Sequence, residues 1–152
     1  MTAVVGQPAP AFDLVDQDKQ RVSLESLAGK KTLVVFIPFP FTGICDAEGC
    51  AIRDGLGNLE AMDANVVVIT AHAVATNKQW ATVHGFEFPI LSDYWPHGEV
   101  SRAYGTFNED VGVATRSSYV IDAEGILRDI IATDSLGVQR EHELQEAALA
   151  AI

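Results

Sequence analysis

The chain has 152 residues, 48% of them hydrophobic and 20% charged, with a formal net charge of −11. That length suits one domain, which buries roughly 68–70% of its unfolded surface without staples, and the composition argues against disorder. The acidic balance argues against nucleic acid or an anionic membrane as a partner, because either would repel it.

The N-terminus, "MTAVVGQPAPAFDL", has no basic region ahead of an apolar run, so no secretory signal is read there. No apolar stretch reaches the ~18 residues of a membrane helix. Two cysteines do not make a secreted disulfide scaffold, which points to a reducing cytoplasm. There, close cysteines are more often catalytic than structural. Linkers, low-complexity segments and repeats are not evident, so residues 1–152 are expected to form a single domain.

"APAFDLVDQDKQRVSL" predicts a short antiparallel hairpin with Asp16, Gln17 and Asp18 near its turn. "SLESLAGK" predicts a short helix capped by Ser23 and closed by Gly29. "TLVVFIPF", residues 32–39, is a continuous run of β-branched and aromatic residues, the pattern of a strand buried on both faces. "NVVVITA", 65–71, is a second such run. A stretch of helical length, about 43–61, lies between them, so the order strand, helix, strand implies a right-handed parallel crossover. Residues 76–84 predict another helix, with Thr76 as its cap. "FPILSD" predicts a short strand with Pro89 at its edge. "SSYVIDAEGILRDIIAT" predicts a hairpin around Asp122–Gly125, and the last thirteen residues an amphipathic helix. The expected architecture is α/β: a central mixed sheet with helices on both faces and the strands at 32–37 and 66–70 in its middle.

Both cysteines fall in "FIPFPFTGICDAEGCAIRDG", 36–55, with four residues between Cys45 and Cys50. In open α/β sheets, sites form beyond the carboxyl ends of central strands, and this segment follows such an end. It leads into a helix whose first turn holds Cys45. Unpaired N–H groups and the macrodipole favour an anion there, and a thiolate is the reactive form of cysteine.

Pro38, Thr42 and Cys45 match P-x-x-x-T-x-x-C, and "ATRSSYVID" places Arg116 on a late strand. On these residues, together with "VGQPAPAFDL" and "FPILSD", the chain resembles the peroxiredoxin family from Gly6 to about residue 133. "FTGIC" and "FPILSDYWPHGEVSRAYGTFNE" look most like the small actinobacterial alkyl hydroperoxide reductase E type, commonly one-cysteine. The Cys45–Cys50 spacing is instead similar to the bacterioferritin-comigratory or Q type, whose resolving cysteine lies five residues on.

The resemblance implies a thioredoxin-like fold and a thiol peroxidase acting on hydrogen peroxide and organic hydroperoxides, with no metal or prosthetic group. Cys45 would attack the peroxide and become a sulfenic acid. Arg116 would hold the thiolate and polarise the O–O bond. The Thr42 hydroxyl would donate to sulfur or to peroxide oxygen, and Pro38 would shield the sulfur. Glu48, three residues beyond Cys45 and on the same helix face, would aim an arginine. Each residue alone has a plainer reading: Thr42 a helix cap, Pro38 a strand end, Arg116 a surface residue, Glu48 a complement to the helix dipole, Cys45 an inert core thiol. The case rests on their occurring together.

On a regular helix the Cα atoms of Cys45 and Cys50 stand ~8.7 Å apart, beyond the ~7 Å limit of a disulfide. A Cys45–Cys50 bond therefore needs the first turns to unwind, and Gly49, Gly55 and Gly57 weaken the helix by roughly 1 kcal/mol each. The expected cycle is oxidation of Cys45, fraying, attack by Cys50, and reduction of the disulfide by thioredoxin or a glutaredoxin-like partner. The alternative is a one-cysteine enzyme resolved by a low-molecular-weight thiol such as mycothiol. Two other readings are a thiol–disulfide oxidoreductase, against which the missing CxxC speaks, and a redox sensor or holdase. His72, His84, His97 and His142 lack metal-ligand spacing with the cysteines and read as surface or capping residues. Trp80 and Trp95 read as packing residues, Trp80 near the site. The aromatic segment 94–105 resembles a region that in the family often borders a dimer interface, which leaves a homodimer open beside a packed loop.

Overall fold

The Asp16 carboxylate closes the first hairpin by accepting hydrogen bonds from the backbone N–H groups of Asp18 and Gln20 at 2.8 and 2.9 Å. In the computed structural model, which describes residues 2–133 and 135–152, this turn joins β1 (Asp13–Val15) to β2 (Arg21–Ser23). A 3₁₀ turn follows at Glu25–Leu27. Ser23 and Ser26 cap it reciprocally, each hydroxyl accepting the other's backbone N–H, and Gly29 leaves it at φ +96°.

The two apolar runs form β3 (Thr32–Phe36) and, after α1 (Gly43–Asp54) and α2 (Leu56–Ala61), β4 (Asn65–Thr70). β3 and β4 pair in parallel, in register from Thr32 opposite Asn65 to Phe36 opposite Ile69. The single helix expected over 43–61 is thus two, parted at Gly55. The next helix, α3 (Val74–His84), starts earlier than expected. Thr76 lies inside it and does not cap it: Asn77, buried, accepts from the Thr70 hydroxyl at 2.7 Å and ties the first turn to the end of β4.

The chain continues through β5 (Ile90–Ser92), α4 (Glu99–Tyr104), a small ladder of β6 (Phe107–Asn108) with β7 (Val113–Ala114), the hairpin β8 (Ser117–Ile121) and β9 (Leu127–Ala132), and α5 (His142–Ala150). α4 is too short to show a helical period in the sequence. Its first N–H groups are met by the distant Asp93 carboxylate, which accepts from Val100 and Ser101 N–H and from the Ser101 hydroxyl.

The seven-stranded sheet runs β2-β1-β5-β4-β3-β8-β9. β8 lies antiparallel to β3, so the sheet is mixed as expected. Alternation along β3 and β4 makes two cores. Leu33, Val35, Val66 and Val68 face Ile52, Leu59, Trp80 and Leu149 of the helices. Val34, Phe36, Val67 and Ile69 face Val100, Tyr104 and Tyr119 on the other side. The carboxyl end of β3, in the middle of the sheet, delivers the chain into α1. Among the described residues no helix is long and apolar enough to cross a membrane.

Candidate active site

Cys45 occupies the first turn of α1 and is fully buried. Two donors reach its sulfur. Arg116 Nη2 donates to Sγ at 3.1 Å, and the backbone N–H of Phe39 donates at 3.4 Å. Arg116 lies between β7 and β8, one residue before the strand beside β3 and not on it as expected; Ser117 pairs with Phe36, so the register brings the Arg116 guanidinium to the end of the central strand. Its Nε donates to the Leu136 carbonyl at 2.6 Å and its Nη1 to Glu48 Oε1. All three faces of the fork are therefore used, which fixes the plane of the cation.

Glu48, one turn beyond Cys45, receives a second arginine. Arg140 Nε and Nη2 each take one carboxylate oxygen, at 2.8 and 2.9 Å, and the Arg140 backbone N–H takes Oε2 at 2.9 Å. Arg140 Nη1 donates to the Ser118 hydroxyl. Glu48, Arg116 and Arg140 are each 5% exposed or less. Burial alone would push the Glu48 carboxyl up, but the hydrogen bonds and charge of Arg140, with the charge of Arg116, outweigh it and hold the carboxyl below its ordinary value. The structure thus brings Cys45, Arg116 and Glu48 together. Sequence reasoning did not single out Arg140: in "GVQREHELQ" an arginine before an amphipathic helix reads as solvated. The available signal was the lone acid Glu48 on the buried face of α1, which needs more positive charge than one shared arginine supplies.

The loop before α1 supplies the rest. Thr42 stands at the helix start but makes no side-chain cap; its hydroxyl donates to the Phe39 carbonyl at 2.7 Å. That bond holds the peptide whose neighbour donates to Sγ. The Pro38 carbonyl accepts from His72 Nε2 at 2.9 Å, which assigns His72 a loop-fixing contact. Asp46 Oδ1 accepts from Phe41 N–H and from Trp80 Nε1, at 3.1 and 2.7 Å, so Trp80 does reach the site's edge. Cys50 lies two turns along α1, half-buried, against His84 and not against Cys45. Gly49 is more than a weak point in the helix. A Cβ there would stand 2.6 Å from Phe86 Cζ, so the missing side chain admits the ring. Among the described residues no group of three or more histidine, cysteine or acidic side chains is placed to hold a metal ion.

A thioredoxin-like sheet with a free cysteine at the head of a helix after a central strand describes a cysteine-based redox enzyme. Residues 5–130 match the AhpC/TSA family, and the chain belongs to that family; it is a peroxidase of the peroxiredoxin kind. It is 46% identical over 149 residues to alkyl hydroperoxide reductase E of Mycobacterium tuberculosis, covering 97% of each chain. Among solved structures it is similar to Enterococcus faecalis AhpC, with a TM-score of 0.89, 25% identity and coverage of 99% and 92%. The peroxidoxin BcpB from Mycobacterium tuberculosis gives 0.88, 26% identity and coverage of 99% and 98%.

Proposed function

We propose that Cys45 is the residue that reduces the peroxide, and that Cys50 resolves it. The observation that carries the reading is the 3.1 Å contact from Arg116 Nη2 to a fully buried Cys45 Sγ. The buried group of Arg116, Arg140 and Glu48 sets two guanidinium cations against one carboxylate beside that sulfur. The thiolate attacks the terminal peroxide oxygen. An S–O bond forms as O–O breaks, the leaving hydroxide or alkoxide takes a proton, and Cys45 becomes a sulfenic acid. Arg116 and the Phe39 N–H serve the oxygen that gains charge. Thr42 steadies the Phe39 peptide, Pro38 covers the sulfur, and Glu48 positions Arg116. Hydrogen peroxide and organic hydroperoxides are the substrates; the name of the mycobacterial relative supports the latter.

Cys50 then attacks the sulfenic acid after the first turns of α1 unwind. The resulting disulfide is reduced by thioredoxin, a glutaredoxin-like protein or a low-molecular-weight thiol. Two free thiols fit a reducing cytoplasm. Trp95, 81% exposed, with Tyr94 beside it, supports a homodimer through the 94–105 segment. One observation favours a one-cysteine cycle instead: Trp80 and Phe86 pack on Gly49 and pin the turn that would have to open. The test is the mass of reduced protein after one equivalent of peroxide, with remaining thiols alkylated and peptides mapped. A linked 45–50 peptide supports resolution by Cys50. One added oxygen on Cys45 with Cys50 alkylated makes the enzyme depend on an external thiol. An unchanged mass overturns the assignment of Cys45.

A further inference from the structure

Cys50 has a base beside it. Its Sγ lies 3.9 Å from His84 Nδ1. The opposite nitrogen of that ring, Nε2, lies 3.5 Å from Asp46 Oδ2. Nε2–H facing the carboxylate leaves the Nδ1 lone pair for the thiol proton, the arrangement of nucleophile, base and orienting acid. The acid is itself held, because Asp46 Oδ1 is occupied by Phe41 N–H and Trp80 Nε1. The ring is held too: it stacks on Phe86 with 18° between planes. His84 is the last residue of α3, where the helix dipole favours a cation. Arg53, three residues past Cys50 on α1, donates to the His84 carbonyl at 2.8 Å and adds a second positive charge near the sulfur. Both the His84 and Asp46 side chains are partly open to solvent.

We infer that His84, oriented by Asp46, is the base that ionises Cys50 for its attack on the Cys45 sulfenic acid; the inference rests on the resolving role proposed above. The thiol proton moves to Nδ1. The Cys50 sulfur forms the S–S bond as the S–O bond of Cys45 breaks, and the departing hydroxide is protonated by solvent. The imidazolium then returns its proton to water. Oxidant and reductant are the sulfenic acid and the thiolate, so no other reagent is needed.

The test uses the full chain with Cys45→Ser, in which Cys50 is the single thiol. Iodoacetamide alkylation is timed at about pH 7, where an unassisted thiol is only a few per cent ionised, and at about pH 10, where it is ionised without help. Adding His84→Gln is expected to slow alkylation about tenfold at the lower pH and by less than about twofold at the higher. Asp46→Asn gives a smaller loss of the same kind. The ratio of the two rates within one variant cancels changes in access, so a merely structural role would not move it. An unchanged ratio in His84→Gln overturns the inference. With Cys45 intact, His84→Gln should slow the 45–50 disulfide after one equivalent of peroxide without slowing sulfenic acid formation. Equal disulfide rates in the two proteins overturn the role of His84 alone. No disulfide in either overturns resolution by Cys50, and the role of His84 in it.

Discussion

Arg140 grips Glu48 three times, through Nε, Nη2 and its own backbone N–H, and both residues are buried. The cost of breaking such a pair from one side exceeds the worth of making it, because the other charge stays buried. Glu48→Gln is expected to destabilise the protein by about 3–5 kcal/mol in denaturant unfolding. The carboxyl of Glu48 is held below its ordinary value. Its contribution is therefore fully present above the ordinary glutamate value of about 4.3 and is lost as pH falls through the lower folded one. Urea midpoints of the wild type should drop across that acid window, and the Gln variant should lack this part of the drop. Identical acid profiles would contradict the assignment.

Arg116 meets the Cys45 sulfur, Glu48 and the Leu136 carbonyl with three different nitrogens. A lysine ammonium can restore the charge but not the three directions. Arg116→Ala is expected to slow the first oxidation by roughly 10²–10³-fold, the range for loss of a preorganised donor. Arg116→Lys should recover only part of it. Stopped-flow tryptophan fluorescence with hydrogen peroxide reads both. A rate within a factor of two of wild type in Arg116→Ala would remove the role.

The strands that position the site were legible because β3 and β4 are buried on both faces, which leaves uninterrupted runs of Val, Ile, Leu and Phe. Cys45, Thr42, Pro38, Glu48 and Arg116 stood out as candidates by pattern and by resemblance, and the structure brings Cys45, Glu48 and Arg116 into contact. What their neighbours do was not. Arg140 and His84 reach the site from α5's approach and the end of α3, and their contacts arise only when those elements pack on α1. Nothing local distinguishes either from a solvated charge or a helix-end histidine. α4 was missed for a similar reason: its start is fixed by Asp93, outside the helix itself.

Gly49 sets helix propensity against packing. In an exposed helix Gly→Ala would gain about 1 kcal/mol. Here the new methyl would stand 2.6 Å from Phe86 and 3.2 Å from Trp80, two buried rings with no free end to swing aside. Overpacking wins, and Gly49→Ala is expected to destabilise by about 1–3 kcal/mol in urea unfolding. A stabilised variant would mean that the rings yield easily and that the turn between the cysteines is not pinned.

Thr42 is linked to the sulfur through one residue, Phe39. Its hydroxyl donates to the Phe39 carbonyl at 2.7 Å, and the Phe39 N–H donates to Cys45 Sγ at 3.4 Å. Valine keeps the shape of the side chain and removes the donor; serine keeps the donor and removes the methyl. If the bond holds the loop in its reactive geometry, Thr42→Val should slow the first oxidation by on the order of 10²-fold, since displacements near 1 Å cost that much. Thr42→Ser should stay within about threefold of wild type, because the hydroxyl can still reach the carbonyl. Both rates come from the same stopped-flow trace, and the Val variant's urea midpoint controls for folding. A loss in Thr42→Ser with none in Thr42→Val would mean that the methyl group, and not the hydrogen bond, matters at this position.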